Sequence, residues 1–125
     1  MSLSTGGVQT LVMNAGGLSA GLVHLLLGSA SGTQPGIPVG GSLLPLGAPD
    51  AYLDFTLANP NSALLPGSLG FLDEEGRAVA TFVLPSGASP GLAGLTLNHA
   101  FVALDPVAGG APTFASQAAA LALVP

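Results

Sequence analysis

Punctuation constrains this chain more than anything else: short apolar runs recur about every ten residues, each closed by Gly, Pro, Asn or Asp. That spacing suits an antiparallel sandwich or barrel and leaves little room for long helices. Glycine supplies 19 and proline 11 of the 125 residues, a load that could mean disorder. With 49% apolar and 6% charged residues, however, the composition is the reverse of a disordered one. The turn residues therefore separate ordered segments, and the length suits one domain over residues 1–125.

The pattern predicts about eight strands, near Val8–Asn14, Leu22–Gly28, Ser42–Leu46, Tyr52–Ala58, Leu69–Leu72, Ala78–Leu84, Leu95–Leu104 and Ala118–Val124. The fold class expected is all-β, an antiparallel sandwich of the Ig-like or jelly-roll-like kind. Alternation in "AYLDFTLA" places Leu53, Phe55 and Leu57 inward and Tyr52, Asp54 and Thr56 outward. "GSLGFLDEEGRAVATF" predicts a hairpin turning at Asp73–Gly76, with Gly76 at a positive φ. Pro45 falls inside a proposed strand and marks it as an edge; residues 29–41 read as a loop. At the C-terminus "SQAAALALVP" has good helix formers, but alternation of Ala119, Leu121 and Leu123 favours a strand.

Charge and composition exclude whole classes of function. Arg77 is the only basic residue besides two histidines, and there is no lysine, so a phosphate-binding surface for nucleic acid cannot be built. Anionic membranes are disfavoured for the same reason. Schiff bases, Walker-type loops and lysine crosslinks are impossible. The absence of cysteine removes disulfides, thiol nucleophiles and thiolate zinc sites. The longest apolar stretches, "GLVHLLLGSA" and "AAALALVP", are too short to span a bilayer as helices, so no membrane insertion is expected. No basic segment precedes an apolar one in the manner of a signal peptide. The opening "MSLSTGGVQTLVM" runs directly into a strand pattern, as if an initiator Met stood at a domain boundary of a longer protein.

Few residues carry chemistry. His24 and His99 both fall mid-strand; on neighbouring strands they could approach one metal, but no His-x-His or Glu-x-x-His spacing supplies a third ligand. Asp73, Glu74 and Glu75 are the densest negative charge and, with Asp54, the candidates for a weak calcium site, although they lack the alternating acidic pattern of a calcium loop. Asp50 follows Pro49 as a turn residue. No serine stands in a Gly-x-Ser-x-Gly elbow, and "GSASG" centres on Ala30. Asp105 lies about 20 Å along the strand from His99, too far for a catalytic pair. With no tryptophan and only Tyr52 as tyrosine, a glycan platform is poorly supplied, and Phe55, Phe71, Phe82, Phe101 and Phe114 read as core. No catalytic residue, cofactor or metal is expected, and the chain is read as a non-enzyme.

Leu27–Gly36, "LGSASGTQPG", and Leu92–Asp105, "LAGLTLNHAFVALD", are the most specific parts of a pattern that also includes "GGVQTLVMNAG", "LPLGAPDAYLDFTL" and "FASQAAALALVP". Together they resemble the C-terminal domain of secreted multi-domain proteins of environmental bacteria, over nearly the whole chain. Relatives often carry an aromatic near position 24, from which His24 departs. The resemblance implies a secreted or cell-surface setting and an accessory role as cap, sorting or attachment domain, and it carries no catalytic residues. The smooth, weakly charged surface also suits a self-assembling subunit of a filament or layer. Other protein modules or the chain's own copies are the partners expected, with weak glycan or calcium binding as a third reading.

Overall fold

The computed structural model describes residues 1–125. In chain order it contains β1 (Gly7–Asn14), β2 (Val23–Ser29), β3 (Ile37–Val39), β4 (Ser42–Leu44), α1 (Ala51–Ala58), β5 (Leu69–Phe71), β6 (Arg77–Leu84), β7 (Thr96–Asp105), β8 (Ala111–Ala115) and β9 (Ala119–Ala122). The central sheet has the order β5-β2-β7, and β8 and β9 share the far side of β7, one along each half of it. A second sheet pairs β1 with β6, and a small ribbon pairs β3 with β4. Every ladder is antiparallel. The expected all-β sandwich is the fold adopted, with nine strands in place of eight.

β2 and β7 are nearly continuous apolar runs because their sheet is covered on both faces. On one face Leu26, Leu97 and Phe101 pack under Leu11, Met13, Ala80 and Phe82 of the β1–β6 sheet. On the other, Leu27, Ala100 and Val102 pack against Leu44, Leu46 and Leu53. The core is thus divided between the two sides of one sheet. Burying a Leu, Val or Phe side chain is worth about 1.5–3 kcal/mol, so both cores contribute to the fold. The N-terminal segment pairs within its own chain: Leu3 N donates to Val124 O at 2.7 Å, and β1 continues along β6.

Several expectations need correction. Tyr52–Ala58 is helix, not strand. Asp50 caps it, its side chain accepting from Leu53 N at 3.0 Å, and Asn59-Pro60 ends it. Its buried residues are Leu53 and Thr56, while Phe55 and Leu57 are exposed. The turn at Asp73–Gly76 forms, with Gly76 at φ 75°, but it does not close a hairpin. Its flanking strands go to different sheets, β5 to β2 and β6 to β1. Residues 29–41 contain β3, and β8 was absent from the expected strands; both carry a proline, Pro38 and Pro112, as outer strands can. Pro45 lies just past β4. Phe82 and Phe101 are core, whereas Phe71 is 73% exposed. The C-terminal run is a strand, as alternation indicated.

Candidate functional site

One carboxylate fastens α1 to the central sheet. Asp50 Oδ1 takes the Leu53 N–H and Oδ2 takes the Ala30 N–H, both at 3.0 Å. Burial alone would raise this carboxyl, but hydrogen bonds from Ser31, Leu53 and Ala30 outweigh it and hold it below its usual range. Thr56 completes the attachment, donating to Leu53 O and accepting from Gly28 N. The helix so placed lays Tyr52 across Gly28, where only a residue without Cβ fits: a Cβ would overlap Tyr52 Cε2.

Tyr52 then meets His99, with Oη 2.7 Å from Nε2 and the rings edge-on at 85°. His99 is 1% exposed and also packs against Phe82, centroid to centroid 5.3 Å. Burial drives the His99 pKa down to about 4 and pushes the Tyr52 phenol up, so both groups are neutral near pH 7. The imidazole tautomer sets the direction of this bond, from the phenol O–H to Nε2 or from Nε2–H to Oη. The pair makes neither an activated nucleophile nor a metal site.

The two histidines lie on the same face of adjacent strands but do not converge. His24 stands opposite Ala103 and His99 opposite Gly28, four register steps or roughly 13 Å apart. His24 Nδ1 meets Ser68 O at 3.2 Å, and burial lowers its pKa. Asp73 Oδ1 accepts from Glu75 N and Arg77 N at 2.8 and 2.9 Å, and those bonds hold its carboxyl below the usual range. Glu75 pairs with Arg77 at 3.3 Å, both well exposed. Asp54 is on α1, away from that turn, and no three acidic or histidine side chains gather as a metal set. Asp105 caps the turn after β7 by accepting from Val107 N. Ser29 Oγ donates to Gly32 O and accepts from Gly47 N, so the serine of "LGSASG" ties a loop.

Sheet edges supply the other unusual feature. Thr81 and Val83 give their N–H groups to Pro66 and Leu64, which therefore cover the outer side of β6. Their cross-strand partners Thr10 and Val8, and likewise Val12, then turn N–H and C=O away from β6, and no protein group receives them. Several other edges are guarded, while the outer side of the four-residue β9 is met only at Ala122, whose O accepts from the Met1 amine. Asn61 clamps β5, its Oδ1 accepting from Leu69 N and its Nδ2 donating to Leu69 O. β8 has Pro112 and a register shift, and β3 and β4 are three residues long. β1 has no charge, proline or bulge. Its outward side chains Val8, Thr10 and Val12 continue across Val83, Thr81 and Val79 as an uncharged β-branched face, with Val12 71% exposed.

Sequence reasoning missed the Tyr52–His99 pair because it assigned Tyr52 to an outward strand position. The signal that could have found it was Asp50 before a run stopped by Asn59-Pro60, the start and end marks of a short helix. No family model, characterised protein or solved structure matches this chain.

Proposed function

We propose that this chain is a non-catalytic accessory module of an extracellular protein, and that it works by taking an additional strand on the open edge of β1. The observation carrying this reading is the contrast between edges: β1 offers Val8, Thr10 and Val12 unpaired over an eight-residue strand, while β5, β8, β3 and β4 are clamped, irregular or short. Main-chain bonds along such an edge give affinity, and an uncharged, β-branched face favours an equally apolar extended segment. The secreted setting rests on the resemblance in "LGSASGTQPG" and "LAGLTLNHAFVALD".

A second reading, assembly with its own copies, is favoured by the sequence of the edge. Val8-x-Thr10-x-Val12 reads the same in both directions. Two β1 strands related by a two-fold axis at Thr10 would set Val8 against Val12 and Thr10 against Thr10, exchanging six main-chain bonds. Because Leu64 and Pro66 cover β6, such pairing closes at a dimer.

Solution mass over a wide concentration range, combined with amide exchange, tests both. Thr10→Pro removes an outward N–H and no bond to β6, so it blocks strand addition at low cost to the fold. A dimer abolished by Thr10→Pro supports self-pairing. A monomer whose Val8, Thr10 and Val12 amides exchange fast supports an edge awaiting another protein's strand. Slow exchange of those amides in a proven monomer would defeat both readings.

A further inference from the structure

The central sheet is not fully covered beside β1. Ala119 on β9 stands across from His99, so it faces the same side as Leu26 and Phe101, which pack under the β1–β6 sheet. Ala119 is nevertheless exposed, because the covering sheet ends at β1. Between Ala119 and β1 lies a cavity of about 210 Å³, with further apolar walls from Leu11, Met13, Leu26 and Phe101. His99 is the one ionisable side chain lining it, and burial keeps that imidazole neutral near pH 7. The lining also includes Val12 and Asn14, whose side chains point outward, so the cavity opens along the free edge of β1.

Edge geometry decides what can enter. Val8, Thr10 and Val12 hold the free main-chain groups, so Gln9, Leu11 and Met13 occupy the alternate sites. At those sites an added antiparallel strand comes closest, about 4.5 Å between Cα atoms, and its facing side chain shares the inward side. A residue set across from Leu11 or Met13 is therefore aimed at the cavity. A second copy paired about Thr10 brings Gln9 across from Leu11 and Gly7 across from Met13. Neither suits an apolar space: one carries an amide and the other no side chain.

We infer that the strand received on β1 comes from another protein and carries one large apolar side chain, of leucine or phenylalanine size, that plugs this cavity. The assignment rests on strand addition at β1 and adds the partner's chemistry. The size follows from volume: a dry cavity of about 150 Å³ holds benzene, so 210 Å³ has room for a Phe or Leu side chain. The lack of charge follows from the lining, which offers no counter-charge, so a Glu or Lys there would be desolvated unpaired. Main-chain bonds then hold the segment, and the plug sets its register.

Capped seven-residue peptides Thr-Ser-Thr-X-Thr-Ser-Thr, with X as Leu, Ala or Glu, titrated into isotope-labelled protein test it. Binding of the Leu and Ala peptides should slow amide exchange at Val8, Thr10 and Val12. The Leu peptide should bind about tenfold tighter than the Ala peptide. It alone should shift the side-chain signals of Met13, Phe101 and Ala119, and the Glu peptide should bind most weakly. Ala119→Phe, at an exposed position, should fill the cavity from within and bring the Leu peptide down to the affinity of the Ala peptide. Equal affinities with the three amides slowed, or a Leu preference that survives Ala119→Phe, would overturn the plug and leave strand addition standing. No slowing by any peptide would remove strand addition and the plug together. A homodimer whose Met13 methyl contacts Ala119 of the second copy would give the cavity to the chain itself and also overturn the inference.

Discussion

Gly28→Ala is the sharpest probe of how α1 is seated. The new methyl would overlap Tyr52 Cε2 and crowd His99 Cδ2 at 3.0 Å. His99 cannot retreat, since it is buried against Phe82, so Tyr52 must swing outward. That breaks the 2.7 Å hydrogen bond and leaves Nε2 buried without a partner, beside an already unpaired Nδ1. Overpacking costs about 1–3 kcal/mol, and stranding a buried polar group about 1–3 kcal/mol more. The Gly→Ala change returns about 0.4–1 kcal/mol through the unfolded chain, so a net loss of about 2–5 kcal/mol is expected. Urea unfolding should show a lower midpoint at unchanged slope. A double-mutant cycle isolates the cause: in a Tyr52→Ala background, Gly28→Ala should cost at most about 1 kcal/mol, leaving a coupling of at least about 1 kcal/mol. Equal costs in the two backgrounds would refute the steric argument, and so would a neutral Gly28→Ala.

Two further outcomes follow from the same region. His99 has a folded pKa of about 4 against 6.5 for a free histidine, so its neutral form stabilises the fold fully above pH 6.5. That stability is lost as pH falls toward 4, where about 2.5 pH units at 1.36 kcal/mol each give about 3 kcal/mol. His24, also lowered, adds in the same direction; urea midpoints between pH 7.5 and 4 should fall, and a folded His99→Phe should flatten most of the slope. Asp50→Ala removes the cap of α1 and strands the Ala30 N–H, for a loss of about 2–4 kcal/mol. Amide exchange should then quicken at Leu53 and Ala30 while β1 and β6 keep their protection, and uniform quickening would count against a local role.

Strand positions were legible where one rule governed them. β1 and β6 alternate because a single sheet face is buried, so Leu11, Met13, Ala80 and Phe82 could be read against Val8, Val12 and Val79. β2 and β7 were legible as strands, but their double burial was not, since nothing in "LVHLLLGS" says what covers each face. α1 was misread because apolar residues at 53, 55 and 57 satisfy a period of two, while the burial of Leu53 and Thr56 follows a spacing of three. The hairpin failed for another reason: turn chemistry at Asp73–Gly76 fixes the reversal locally, whereas the partner of each flanking strand is settled by distant packing. The Tyr52–His99 pair depended on both missed points, a helix in place and a glycine beneath it.

The open edge and the cavity share one structural origin. The β1–β6 sheet has two strands, yet the sheet beneath it extends past β7 to β8 and β9. A third strand beside β1 would roof the remainder, and it is there that Val8, Thr10 and Val12 present unpaired groups and that the cavity reaches His99. Val12 and Asn14 carry outward side chains and still line the cavity, so the cavity runs up to the edge itself. A strand laid on β1 would pass over its mouth. Neutrality fits a covering strand, because a charge in the groove would have to be desolvated by it. The scarcity of charge that excluded so many functions from the sequence thus extends to the place where the sandwich is left unfinished.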